Sequence, residues 1–199
     1  KFIAKWFSHD AGQGGRLIEP LKRKVALHNQ SRSPLLLTLA CLEHQENGIS
    51  DKTTSADLFQ SAVDKLLRQS WRPDADLEQV ANSAFGHMGG GEHIAFAWSM
   101  LPEVCFALFR QNPAENRFSD TQIRKAMKDA DVGALNPFSA ITWFSKKGIL
   151  VSAGFEGSVT NYSFAHRTLL EYLSAKHLAE LDDYFEILND GLRSPLATT

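Results

Sequence analysis

Cysteine is scarce in this chain, with two among 199 residues, Cys41 and Cys105. Both sit inside apolar helical patterns and far apart, which reads as buried thiols in a reducing compartment rather than a disulfide framework. The expected compartment is the cytoplasm. Long hydrophobic runs are also missing. The longest, Ile94 to Phe109, falls short of the ~20 residues a bilayer span needs and is interrupted by Pro102 and Glu103, so no membrane segment is expected. Neither sign of charge dominates: 21 Lys and Arg stand against 23 Asp and Glu, for a net charge of −2. With the two signs interspersed, the totals carry no basic footprint for nucleic acid. There is no internal repeat and no low-complexity tract. A start at Lys1 without a methionine or signal-peptide pattern leads us to expect an excerpt of a longer polypeptide.

What is present is helical periodicity, enough for one large or two small domains. The first block, residues 1–72, reads as four helices. Phe2, Ile3, Trp6 and Phe7 form a stripe that stops before a Gly12–Gly15 loop. Leu17, Ile18, Leu21 and Val25 form the next, with Pro20 tolerable only near its first turn. Ser33 is placed as an N-cap and Pro34 as the first helical residue, where its missing N–H costs nothing. Because Leu35 to Leu42 is apolar on most sides, that helix is expected to be central and buried. Thr54 and Asp57 form a cap-like pair before Leu58, Phe59, Ala62, Val63, Leu66 and Leu67, in a helix ending near Trp71.

Arg72-Pro-Asp-Ala-Asp76 interrupts both periodicities and marks the boundary. A second domain, residues 73–185, follows, and 186–199 is a tail or the start of a further region. Helices are expected at about 77–88, 93–111 and 119–131, the last with a Ser119/Gln122 capping box. Asn136-Pro137 opens another, closed by Gly148. Ile149–Val151 and Tyr162–Phe164 read as short strands joined by a glycine-rich turn, and a final helix covers about 167–181. Leu169, Leu170, Leu173, Leu178 and Leu181 are expected on its core side. The fold class is mainly α: a helical bundle followed by a winged-helix domain with a small two-stranded hairpin.

Self-contained chemistry is not evident. The clusters Gly12-Gln-Gly-Gly15 and Gly86-His-Met-Gly-Gly-Gly91 lack the following Lys-Ser/Thr of a phosphate loop and read as interhelix loops. His87 and His93, with Glu92 between them, fall short of a zinc ligand set and read as solvated loop residues. No nucleophile stands beside a companion base. The presumptive recognition helix, 137–147, ends in Lys146 and Lys147 but carries Phe138, Ile141, Trp143 and Phe144. Sequence readout wants several Arg, Lys, Asn or Gln on one face, so protein packing is the better reading and nucleic acid is not expected.

The most informative stretch is Tyr162-Ser-Phe-Ala-His-Arg-Thr-Leu-Leu-Glu-Tyr-Leu-Ser-Ala175, where a strand runs into a helix through a histidine. A helix start offers free N–H groups and partial positive charge, the natural seat of an anion such as phosphate. The plainer reading of His166 is a capping or half-buried core histidine. Upstream stand Ser33-Pro-Leu-Leu-Leu-Thr-Leu-Ala-Cys-Leu42, then Ala56-Asp-Leu-Phe-Gln-Ser-Ala-Val-Asp-Lys-Leu-Leu-Arg68, with Phe2-Ile-Ala-Lys-Trp-Phe7 before them. In this order the segments resemble the NACHT family of signal-transduction ATPases. The resemblance covers the helical domain 1 and winged-helix domain that follow the nucleotide-binding core, and is poor over residues 73–118. Ser33 stands where the family often has Asn, and Leu170 and Ser174 replace commoner residues.

The resemblance implies a regulatory part of an ATPase, with the phosphate loop and magnesium-binding acid in an upstream core. Pro34 would lie against the adenine of a shared ADP or ATP. His166 would approach the β-phosphate of ADP, and Arg167 would add charge; the alternative for Arg167 is a plain surface arginine. Glu171, Tyr172 and Leu173 also match the motif and read as fold-supporting. The implied partners are the upstream core, further copies on activation, and effector or sensor domains, with defence as the family's use. Two alternatives stand beside this reading: a winged-helix DNA-binding regulator and a stand-alone helical interaction module.

Overall fold

The computed structural model describes residues 2–23, 33–50, 52–68, 76–88, 91–130 and 136–181. Val25, Trp71, Gly89, Gly90, the expected boundary at 72/73 and the tail 186–199 lie outside them. The described residues form helices with one small antiparallel sheet. None of these helices is long and apolar enough to cross a membrane. Backbone contacts divide the chain into Lys1–Lys65 and Leu66–Thr199.

The first unit holds α1 (Phe2–Trp6), α2 (Ala11–Arg23), α3 (Pro34–Glu46) and most of α4 (Ser55–Arg68). Its core gathers Phe7, Leu17, Leu21, Ala40, Cys41, Ile49 and Leu58. The Gly12–Gly15 segment is not a loop but the first turns of α2. Asp10 starts the helix, its carboxylate accepting from the Gln13 N–H at 2.9 Å. Gly14 is buried there because α1 packs close: a Cβ at this position would stand 3.3 Å from Phe7 Cβ and 3.6 Å from Ile3 Cγ2. Close helix contact outweighs the poor helix propensity of glycine. The early start also leaves Pro20 in the helix interior, not near its first turn.

Ser33 occupies the N-cap position of α3 without a side-chain cap bond, and Pro34 takes the first helical position. Only Leu36, Ala40 and Cys41 of α3 are buried, so the apolar run is central on one face and half-buried elsewhere. His44 ties the unit together. Its Nδ1 accepts from the Ile49 N–H at 3.2 Å, so its Nε2–H donates to the Gln13 carbonyl at 3.1 Å. Before α4, Thr54 and Asp57 exchange bonds as expected, the Thr54 N–H reaching Asp57 Oδ2 at 2.7 Å and the Asp57 N–H reaching Thr54 Oγ1 at 3.2 Å.

Glu43 on α3 accepts from Ser61 and Asn47 and pairs with Lys65 at 3.4 Å. Burial pushes its carboxyl up, but the bonds from Ser61 and Asn47 and the Lys65 charge outweigh this and hold it below the ordinary value of 4.5. A carboxylate with a lowered folded pKa stabilises above its unfolded value and loses that contribution as pH falls through the folded one. Glu43→Gln should therefore be less stable than the parent at neutral pH and show a shallower loss of stability on acidification below about 4.5. Urea midpoints across that range measure both.

The second unit holds α5 (Asp76–Phe85), α6 (Glu92–Gln111), β1 (Arg117–Ser119), α7 (Asp120–Asp129), α8 (Pro137–Lys146), β2 (Leu150–Glu156), β3 (Val159–Phe164) and α9 (Arg167–Glu180). The sheet order is β1-β3-β2, all antiparallel, with Phe118 opposite Tyr162 and Leu150 opposite Phe164. β1 is an element that no sequence pattern predicted, and both hairpin strands are longer than expected. Gly154, at φ 101°, sits at the irregularity in β2, and Gly157, at φ 62°, makes the turn. The Ser119/Gln122 capping box is formed, and Asn136 caps α8.

Phe85 is the hub of an aromatic cluster, edge-on to Trp143 at 5.0 Å with Phe96 at 5.4 Å and Phe144 at 6.2 Å. α9 lies along α6, burying Leu169, Leu170 and Leu173. Leu178 and Leu181 are only half-buried, and Ser174 takes a core place by donating to the Leu170 carbonyl at 2.7 Å. His93 is not a solvated loop residue. It lies buried in the first turn of α6, 6.1 Å from the Phe85 ring, while His87 is exposed.

Both cysteines are free and buried. Burial pushes the Cys41 thiol up to about 11, and Cys105 well above the ordinary value. The thiolate is the reactive form, so neither should react with iodoacetamide in the native chain at neutral pH, and both should react in denaturant. Mass spectrometry of timed samples reads each site separately.

Candidate functional site

Two features of β3 and α9 fix the strand-to-helix junction. Phe164, at the end of β3, is buried, and the next N–H, that of Ala165, donates to the Ile149 carbonyl at 2.9 Å. Arg167, the first residue of α9, spreads its guanidinium over three acceptors. Nε donates to Glu171 Oε1 at 2.8 Å, Nη1 to the Ala114 carbonyl at 2.9 Å and Nη2 to the Pro113 carbonyl at 2.8 Å. Asn116 adds a bond from Nδ2 to the Phe164 carbonyl at 3.2 Å. The turn between α6 and β1 is thereby fastened to the start of α9.

Between these anchors His166 has extended backbone, φ −147° and ψ 138°, and occupies the N-cap of α9. Its Nδ1 accepts the Thr168 N–H at 3.3 Å and lies 2.7 Å from Thr168 Oγ1. One of the four free N–H groups of the helix start is satisfied by the ring itself. His166 is exposed, and among the described residues no bond engages its Nε2. The capping reading of His166 is thus correct in geometry, and it leaves the far edge of the ring open to an external acceptor.

His166 and Arg167 come together at one helix start. Pro34 opens α3 in the other unit, where it is exposed. Thr168, Asn116 and the Pro113 and Ala114 carbonyls complete the junction; Thr168 lies in the motif but had no assigned role, and the other three did not stand out in the sequence. The Thr168 N–H was legible in principle, because an N-cap side chain accepts from the backbone N–H two or three positions on. The carbonyl acceptors, 53 and 54 residues before Arg167, carried no sequence signal.

The presumptive recognition helix, α8, buries Ile141, Trp143 and Phe144. Lys147 is buried too, its Nζ 5.4 Å from the Trp143 ring centre, and burial lowers its pKa. The exposed side is left with Phe138, Thr142 and Lys146, and the Arg124 guanidinium covers Phe138 at 4.2 Å. A face with so little exposed positive charge is a poor match to base edges and phosphates. Among the described residues, no group of three or more His, Cys, Asp and Glu side chains could hold a metal ion.

No protein-family model, no curated protein and no solved structure matches the chain. The second unit is a helical domain whose three-stranded sheet leads into a helix capped by an exposed histidine.

Proposed function

We propose that this chain is the helical and winged-helix part of a NACHT-type ATP/ADP switch, which senses nucleotide state while an upstream core performs any hydrolysis. The order α6-β1-α7-α8-β2-β3, with the sheet arranged β1-β3-β2, supports a winged helix in which the β2–β3 hairpin is the wing. The observation that carries the nucleotide reading is His166, fixed at a helix start with one ring edge open. A helix start and an N–H donor together suit a phosphate oxygen. In the resting state ADP bridges the upstream core to His166. Arg167 holds the junction through its carbonyl and Glu171 bonds, which leaves the phosphate contact to His166. Exchange for ATP removes the bridge, the winged helix releases, and copies associate or an effector is freed. A ligand shifts such an equilibrium only through different contacts in the two states, and a β-phosphate held only in the closed form meets that requirement.

The test is ADP retention by the protein in which this chain follows its nucleotide-binding core. His166→Ala should speed ADP release and raise basal signalling, and unchanged ADP affinity would remove His166 from the switch. DNA binding is the poorer reading because of the α8 face, and the chain should show no salt-sensitive binding to duplex DNA in a low-salt titration.

A further inference from the structure

We infer that the backbone N–H of Thr168 locks His166 in the tautomer carrying its proton on Nε2, so the ring presents an N–H donor, not a lone pair, to whatever meets the start of α9. A backbone N–H can only donate, and the Thr168 N–H points at Nδ1 at 3.3 Å. Nδ1 must therefore supply a lone pair, and in a neutral imidazole the proton then sits on the other nitrogen. Thr168 Oγ1, at 2.7 Å from the same atom, can donate as well. The opposite tautomer would keep a bond to the hydroxyl as acceptor but set two N–H groups against each other. The backbone N–H breaks the tie, and the hydroxyl follows it as a second donor.

The inference depends only on the junction geometry. Its functional consequence rests on the proposed reading: a donor at Nε2 suits a phosphate oxygen or another acceptor, and a lone pair there would repel it.

Nitrogen-15 ring spectra of His166 in the whole chain decide the matter, recorded at alkaline pH where imidazole is neutral. The expected spectrum is that of the Nε2–H form. Thr168→Val keeps the backbone N–H and deletes only a hydroxyl that can serve either tautomer, so Nε2–H should remain the predominant form. Thr168→Ser, which keeps both groups, should give the parental spectrum. A predominant Nδ1–H form in the parent, or a change to that form in Thr168→Val, would overturn the inference without touching the ADP experiment. Unchanged ADP retention in His166→Ala would likewise overturn the switch and leave the tautomer in place. A helical far-ultraviolet spectrum for each variant separates a ring effect from loss of fold.

Discussion

Phe85→Ala should destabilise the second unit by about 3–5 kcal/mol, the range for deleting a large buried aromatic side chain. The ring is 2% exposed and touches four others: Trp143, Phe96, Phe144 and His93. Its removal leaves a cavity where α5, α6 and α8 meet, and edge-on partners contribute beyond the area they bury. Collapse around that cavity is restricted. Asn136 is tied to the Ala84 carbonyl at 2.8 Å and caps α8 through its side chain, so α5 and α8 are bonded together beside the gap. Phe85→Leu should recover part of the loss, since most of the volume is kept. Urea unfolding followed by far-ultraviolet circular dichroism checks both. A loss below about 1 kcal/mol for Phe85→Ala would mean that the cluster is not the packing centre of this unit.

The elements that were legible in the sequence are those whose causes are local. The Ser119/Gln122 and Thr54/Asp57 boxes join residues three apart, and both formed as expected. Asn136-Pro137 opened a helix because an amide cap and a fixed φ act within one turn. β1 was invisible for the opposite reason. Arg117-Phe-Ser119 has no alternation long enough to read and becomes a strand only through pairing with Asn161–Ser163, far along the chain. The Gly12–Gly15 helix was hidden likewise, because glycine is a breaker by propensity and the contact of Gly14 with Phe7 that overrides this preference is tertiary. His93 looked solvated beside glycines, and only the packing of α6 against Phe85 buries it. At the candidate site the histidine and its helix could be read, whereas the carbonyls that occupy Arg167 belong to a turn no pattern connects to it.

The pair His166→Ala and His166→Asn should separate the two duties of that histidine. As an N-cap its Nδ1 satisfies the Thr168 N–H, and alanine abandons that bond at a cost of about 0.5–2 kcal/mol to α9. Asparagine is among the best N-cap residues, so His166→Asn should retain nearly the parental unfolding midpoint. Neither variant carries a ring N–H that reaches beyond the cap. If the proposed contact with the β-phosphate of ADP is made, each forfeits a hydrogen bond to a charged group, about 1.5–3 kcal/mol, which is roughly a tenfold to 150-fold loss of ADP affinity. The affinity loss should be nearly equal in the two variants while their stabilities differ. Stopped-flow release of a fluorescent ADP analogue, from the protein carrying the upstream core, gives the affinity side, and thermal unfolding gives the other. A variant series in which ADP retention tracks unfolding midpoint, with asparagine as good as histidine on both, would make His166 a cap and nothing more.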